Sequence, residues 1–324
     1  MLSVVFVLLS CGVSGYYPEQ CLLSLHTLRK FNPDLPAHVL IDCMTHDCLK
    51  GKRLDALARY AEILTIDVPP EFNTDKLRSR YLKTSVRNRI SGDFLFLDCD
   101  TLVCRSFSFE AFKDVVIGMV ADLNGALSLS DENTLRKCQD AGFSDFSGLP
   151  YFNSGFFFVK DDPLSYQLFE AWHQLWRESV LRGCASDQPA LCEANRRLGF
   201  PIKAIDGSWN CQVHFQESRR FLQDAFVLHY FAADGSAQRP LQEEELLKRV
   251  RAVGVDAVVD SILSGSTNAL AAFFCQKTEM ALRFLGTDLF SVFTEDARSF
   301  QLAERIAVIL RKIKQTAYTL LKRE

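Results

Sequence analysis

Asp98 and Asp100, separated by Cys99, stand directly after the apolar run Phe94-Leu95-Phe96-Leu97. Buried-type residues bounded by Gly92 and by carboxylates predict a core strand ending at the C-terminal edge of a sheet, where ligands bind in open α/β sheets. Carboxylates at such an edge are hard oxygen donors, suited to a divalent cation that in turn carries phosphate. Side chains alternate along a strand, so Asp98 and Asp100 can converge on one ion where the chain turns, with Cys99 pointing away. An Asp pair can equally cap a strand-ending turn, and the rest of the chain decides between the two.

Other residues could complete such a site. Residues 74 to 90 predict a helix carrying Arg78, Arg80, Lys83 and Arg87, of which Arg80, Lys83 and Arg87 recur at helical spacing and share one face. A basic face beside a cation site suits the oxygens of a diphosphate. Asn153-Ser154-Gly155 is a polar break at the mouth of the apolar run Phe156 to Val159, and Gly155 admits close approach of a ligand or backbone. Asp187-Gln188 precedes Pro189 at an expected helix N-terminus, where capping alone would account for the Asp. His229, after Phe226-Val227-Leu228, could bring an imidazole to the same ion.

The elements that must position these residues follow a βα order. Leu2 to Leu9 predicts a first buried strand, and Tyr16-Tyr17-Pro18 opens a helix with Leu22, Leu25 and Leu28 on its apolar side. His38 to Asp42 and Ile63 to Val68 predict further strands. Successive βα units predict a parallel sheet with right-handed crossovers. Val115 to Val120 and Gly155 to Val159 continue the buried strands around a polar excursion, Leu123 to Leu149. Helices are expected over 163 to 182 and 186 to 198, and a last strand over Phe226 to Phe231. From about Gln242 only helix is expected, so the chain divides into a catalytic-type α/β domain, 1 to 240, and a helical C-terminal region, 241 to 324. Its last stretch, Arg305 to Arg323, has a basic amphipathic pattern compatible with an anionic membrane surface.

Bulk properties narrow the classes. The chain has 324 residues and a formal net charge of -3, with 37 Lys and Arg against 40 acids, which leaves no nucleic-acid footprint. Its 11 cysteines lack C-x-x-C pairs and zinc-type spacing, so reduced thiols of a cytosolic protein are expected. The apolar start has no basic residue before Arg29, which favours a buried strand over a secretory leader. A cytoplasmic protein, peripheral on the inner face of the membrane if its last helix docks there, is the expectation.

In order, Leu23-Ser24-Leu25-His26-Thr27-Leu28-Arg29-Lys30-Phe31-Asn32-Pro33, Arg80-x-x-Lys83, Gly92 to Thr101, Tyr151 to Gly155, Ser186 to Leu191, Trp209-Asn210 and Leu228 to Phe231 resemble the GT-A glycosyltransferases of the family 8 kind. The likeness spans about residues 2 to 235. It implies a Rossmann-like GT-A fold with a mixed, mainly parallel sheet. It also implies a retaining hexosyltransferase that uses Mn²⁺ (or Mg²⁺) and a nucleotide-diphosphate sugar, a UDP-sugar by family preference, with a glycan or lipid-linked acceptor.

Residue by residue, the resemblance implies that Asp98, Asp100 and His229 hold the metal, with Asp98 also near the ribose. Arg80 and Lys83 would contact the donor's phosphate or sugar, and Asn153 and Gly155 the sugar pocket. Asp187 and Gln188 would hold the transferred sugar beneath its anomeric carbon. Tyr16 would stack on the base, and Trp209 and Asn210 would belong to the acceptor or sugar pocket. Ser10 stands where the family commonly has an acid for uracil, and Arg239-Pro240 is the nearest analogue of a family Lys-Pro pair. A bacterial surface or storage glycan is the expected product. Two alternatives are a non-catalytic sugar-nucleotide-binding relative and a haloacid-dehalogenase-type phosphatase, although here the Asp pair follows three expected strands instead of opening the domain.

Overall fold

The computed structural model describes residues 2–10, 15–143, 146–213, 216–230 and 244–266. In chain order these form β1 (Ser3–Val7), α1 (Tyr17–Phe31), β2 (Ala37–Asp42), α2 (Cys43–Leu49), α3 (Lys52–Ala58), β3 (Glu62–Ile66), α4 (Asp75–Thr84), β4 (Phe94–Leu97), β5 (Thr101–Val103) and β6 (Ile117–Ala121). They continue with α5 (Glu132–Asp140), β7 (Phe152–Val159), α6 (Pro163–Leu181), α7 (Gln188–Arg197), β8 (Ile202–Ala204), β9 (Cys211–Gln212), β10 (Val227–His229), α8 (Glu244–Val253) and α9 (Ala257–Ser266).

A seven-stranded sheet runs in the order β3-β2-β1-β4-β7-β6-β8, and a three-stranded sheet in the order β5-β10-β9. β3, β2, β1 and β4 are parallel neighbours, as the βα order predicts. β7 is antiparallel to both β4 and β6. The large sheet is therefore mixed but mainly parallel.

Both faces of that sheet are apolar, and the pleat decides which residue goes where. Val4, Phe6, Leu95, Leu97, Phe156 and Phe158 pack with α1 on one side. Their sequence neighbours Val5, Val7, Phe94, Phe96, Phe157 and Val159 pack with α4, α6 and α7 on the other. Leu246, Leu247, Val250, Val259 and Leu263 of α8 and α9 join the first of these cores. The expected helix over 305 to 323, like Arg239-Pro240 and Cys11-Gly12, lies outside the described residues. Among the described residues no helix is long and apolar enough to cross a membrane, and the described cysteines are free thiols.

The helix expected over 74 to 90 is shorter. Thr74 caps α4, its side chain accepting from the Leu77 N–H, and the helix gives way to a 3-10 turn at Val86–Asn88. Arg87 consequently leaves the face shared by Arg80 and Lys83. It donates to the carbonyls of Gly92 and Ile90 and lies against the rings of Phe94 and Tyr166. Arg78 pairs with Asp42, which also caps α2.

α4 is docked on α6 through Thr84 Oγ1 and His173 Nδ1, 2.7 Å apart. Burial pushes the His173 pKa down from 6.5 to about 4, and Arg177 and Arg89 add to the depression. The unfolded chain therefore takes up a proton that the folded chain resists. Stability attributable to His173 is complete above pH 6.5 and is lost as pH falls towards 4. Urea midpoints across that window should drop less in His173→Gln than in the parent; equal drops would remove His173 as the cause.

Candidate active site

The C-terminal end of β4 meets the start of β7 because these neighbours run in opposite directions. The Asp98 N–H donates to Gly155 O at 2.8 Å, and the Cys99 thiol turns inward to Val7 O. Thr101 begins β5, which pairs with β10 so that Thr101 lies opposite His229. That pairing carries the imidazole to the carboxylate one residue before Thr101. His229 Nε2 and Asp100 Oδ1 are 3.3 Å apart, and the ligand atoms of Asp98, Asp100 and His229 all lie within 4.8 Å of one another. This donor set, two carboxylates and one imidazole, fits a divalent ion of the Mn²⁺ type better than Ca²⁺, which takes oxygen only.

The cation face of α4 reaches the same place. Lys83 is fully buried, its Nζ 2.7 Å from Asp98 Oδ1 and 5.0 Å from the centroid of the Phe96 ring. Arg80 Nε is 2.8 Å from Asp187 Oδ1, and the Ser154 hydroxyl donates to Asp187 Oδ2 at 2.8 Å. Burial alone would raise the Asp187 pKa; Arg80, Lys83 and Ser154 outweigh it and hold the carboxyl below its ordinary value. Asp187 in turn raises the Arg80 pKa against the opposing effect of burial.

Asp187 stands at the helix N-cap but makes no side-chain capping bond. Its carboxylate is buried and taken up by Arg80 and Ser154, and the backbone is anchored separately: Trp172 Nε1 donates to Asp187 O at 2.8 Å. Capping therefore does not account for this residue. Gln188 Nε2 donates to Phe152 O at 3.0 Å.

Arg80, Lys83, Asp98, Asp100, Asn153, Gly155, Gln188 and His229 border a cavity of about 550 Å³, whereas Asp187, buried and held by Arg80 and Ser154, is not part of its wall. Three carboxylates, Asp98, Asp100 and Asp187, face the cations Arg80 and Lys83. A divalent ion would turn that single net negative charge positive, the sign a diphosphate requires.

Other expected site residues lie elsewhere. Tyr16 packs beneath the Arg251 guanidinium, whereas Tyr17 lines the cavity. Tyr16 is the residue before α1 and Tyr17 the first within it, and the two rings go to different places. Burial, then Asp100, hold the Tyr17 hydroxyl above its ordinary pKa. Ser10 is buried, its N–H donating to Thr45 Oγ1 at 3.1 Å. Trp209 is a core residue, stacked on Phe226 with centroids 4.3 Å apart.

Asn210 is fully buried and holds site residues without lining the cavity: its Nδ2 donates to Asn153 Oδ1 and its Oδ1 lies 3.1 Å from His229 Nδ1. Asn153-Ser154-Gly155 lies inside β7. Sequence reasoning missed Asp122, which accepts from Asn153 Nδ2 at 2.9 Å and whose pKa burial raises. The signal was available, since Asp122 directly follows the buried strand β6 as Asp98 follows β4.

No protein-family model matches the chain, and no curated protein sequence does. Solved structures do. The galactosyltransferase LgtC, in complex with donor and acceptor sugar analogs, superposes with a TM-score of 0.50 and 16% identity, covering 81% of this chain and 99% of that one. An active-site mutant of LgtC gives 0.50 and 17% over 80% and 98%. Apo xyloside xylosyltransferase 1 from mouse gives 0.47 and 17% over 71% and 97%. At these identities the likeness to LgtC is one of fold: the seven-stranded, mainly parallel sheet with flanking helices is the GT-A architecture.

Proposed function

We propose that this chain is a metal-dependent retaining glycosyltransferase that moves a hexose from a nucleotide-diphosphate sugar, with UDP-sugar the first candidate, to a glycan or lipid-linked acceptor. The observation that carries the reading is the convergence of Asp98, Asp100 and His229 within 4.8 Å in one cavity with Arg80 and Lys83. The GT-A architecture supports it, as does LgtC, whose structure holds donor and acceptor sugar analogs. Asp98, Asp100 and His229 would hold Mn²⁺, which supplies Lewis acidity to a departing nucleotide diphosphate when bound.

The protein's own part is orientation and charge. Lys83, locked on Asp98, sets that carboxylate's angle and offers a cation to phosphate oxygens. Arg80 and Ser154 hold Asp187 ionised in a buried position, where it can stabilise positive charge developing on the sugar. Gln188, its amide fixed on Phe152 O, offers a preorganised polar group beside it. Tyr17 borders the cavity and replaces Tyr16 as the aromatic partner for a base. We place the activity in the cytoplasm.

The test is a donor screen that follows nucleotide diphosphate release with and without Mn²⁺. Metal-dependent release from one donor, and retention of anomeric configuration in the product by NMR, are expected. Stabilisation by Mn²⁺ and UDP without release from any donor would point to a binding module instead, and Mg²⁺-dependent turnover of a phosphate monoester to a phosphatase.

A further inference from the structure

We propose that Arg251 of α8 is a positioning residue for the donor cavity: it fixes the start of α1 and, through it, the aim of Tyr17 at the base of a bound nucleotide. The inference rests on the donor site proposed above. Tyr17 opens α1 and borders the cavity, yet it is 47% exposed, so packing alone does not hold its ring. A helix commonly secures its first turn with a side chain at the N-cap. Here the N-cap is Tyr16, which makes no such bond.

Two guanidinium groups take over. Glu19, in the same first turn, is only 3% exposed, and both of its oxygens are shared between them. Arg53 of α3 donates from Nε to Oε1 at 2.9 Å and from Nη2 to Oε2 at 3.0 Å. Arg251 does the same from the other side, Nε to Oε1 at 3.1 Å and Nη2 to Oε2 at 3.0 Å. Each pair is a bidentate fork, which fixes direction as well as distance. Both arginines also donate to Gly15 O, and the Arg251 guanidinium covers the Tyr16 ring, 4.4 Å from its centroid. Gly15, Tyr16 and Glu19 are therefore gripped on either side of Tyr17 in sequence.

Arg251 can be removed without undoing the rest. Leu246, Leu247 and Val250 anchor α8 in the core, and Glu19 keeps its fork with Arg53, so the buried carboxylate is not left unpaired. What goes is the second fork and the cover on Tyr16. Arg251 itself does not line the cavity, and α8 follows the span of residues 2 to 235 that carries the family likeness. The helical C-terminal region thus shapes the donor site from behind.

The experiment titrates the full chain, with Mn²⁺ present, against UDP, GDP, ADP and CDP and against inorganic diphosphate, which has no base. Arg251→Met should weaken the best-bound nucleotide about tenfold, the scale of one lost base–aromatic stack, and leave inorganic diphosphate at parental affinity. A merely structural lesion would weaken both probes alike, and that result would overturn the inference. Tyr17→Ala should show the same selective loss, and adding Arg251→Met to it should cost nothing more; additive losses would place the effect of Arg251 elsewhere. Where inorganic diphosphate binds too weakly to read, the double variant decides. If Arg251→Met does not fold, Arg251→Lys, which keeps a cation beside Glu19 but loses the fork, should show the same selective loss. Parental nucleotide affinity in a folded Arg251 variant would sink this inference and spare the donor site. A parent that binds none of the four nucleotides would sink the donor site and, with it, the role given to Arg251.

Discussion

Asp100→Ala should lose Mn²⁺-dependent release of nucleotide diphosphate while keeping the parental melting temperature. The side chain supplies one of the donors in the Asp98, Asp100 and His229 set, whereas the Asp100 backbone carbonyl, which accepts from Tyr230 N–H at 3.1 Å, survives the substitution. A bound divalent ion contributes several kcal/mol to the departure of a charged leaving group, so a loss of at least about a hundredfold, or ~3 kcal/mol, is expected. Initial rates across a Mn²⁺ titration would check it. A variant that turns over like the parent would remove Asp100 from the metal site.

Gly155→Ala should do comparable damage by adding a single methyl group. A Cβ at Gly155 would sit 2.3 Å from His229 Cε1, 2.8 Å from its Nδ1 and 2.9 Å from Asn153 Oδ1. All are below any tolerable contact, and neither neighbour can swing into solvent because both are buried. The imidazole must therefore leave its place, costing about 10–100-fold in Mn²⁺ affinity, with about 1–3 kcal/mol of strain in the fold. Gly125→Ala is the control, since its Cβ would meet nothing nearer than Asp122 O at 3.6 Å. Parental Mn²⁺ affinity in Gly155→Ala would show that the ring has room the packing denies.

Much of this was legible because local rules act on consecutive residues. Apolar runs ended by Asp marked β2 and β4, and the order of strands and helices gave a mainly parallel sheet. The two Asp residues at those strand ends have different fates: Asp42 caps α2 and pairs with Arg78, whereas Asp98 turns into the cavity with Lys83. Only the surroundings separate them, and surroundings are not local.

Helical spacing grouped Arg87 with Arg80 and Lys83, yet the 3-10 turn after Thr84 rotates it away. β8 and β9, three and two residues long, are too short for any period to register. Trp209 and Asn210 are neighbours in sequence with opposite destinies, one stacked in the apolar core and one in a polar chain behind His229. Asp122, Asn153 and Asn210 touch across large sequence separations, so no window of sequence contains their relationship.

The order of the small sheet, β5-β10-β9, also bears on how the protein is made. Its central strand, β10, is the last of the three to leave the ribosome. Until it emerges, β5 and β9 have no shared neighbour and Asp100 has no imidazole beside it. A nascent chain can complete the whole seven-stranded sheet, whose last strand ends at Ala204, and still be unable to assemble the cation site. The Asp98, Asp100 and His229 cluster is therefore completed late in synthesis, in the step that threads Val227 to His229 between two strands already made.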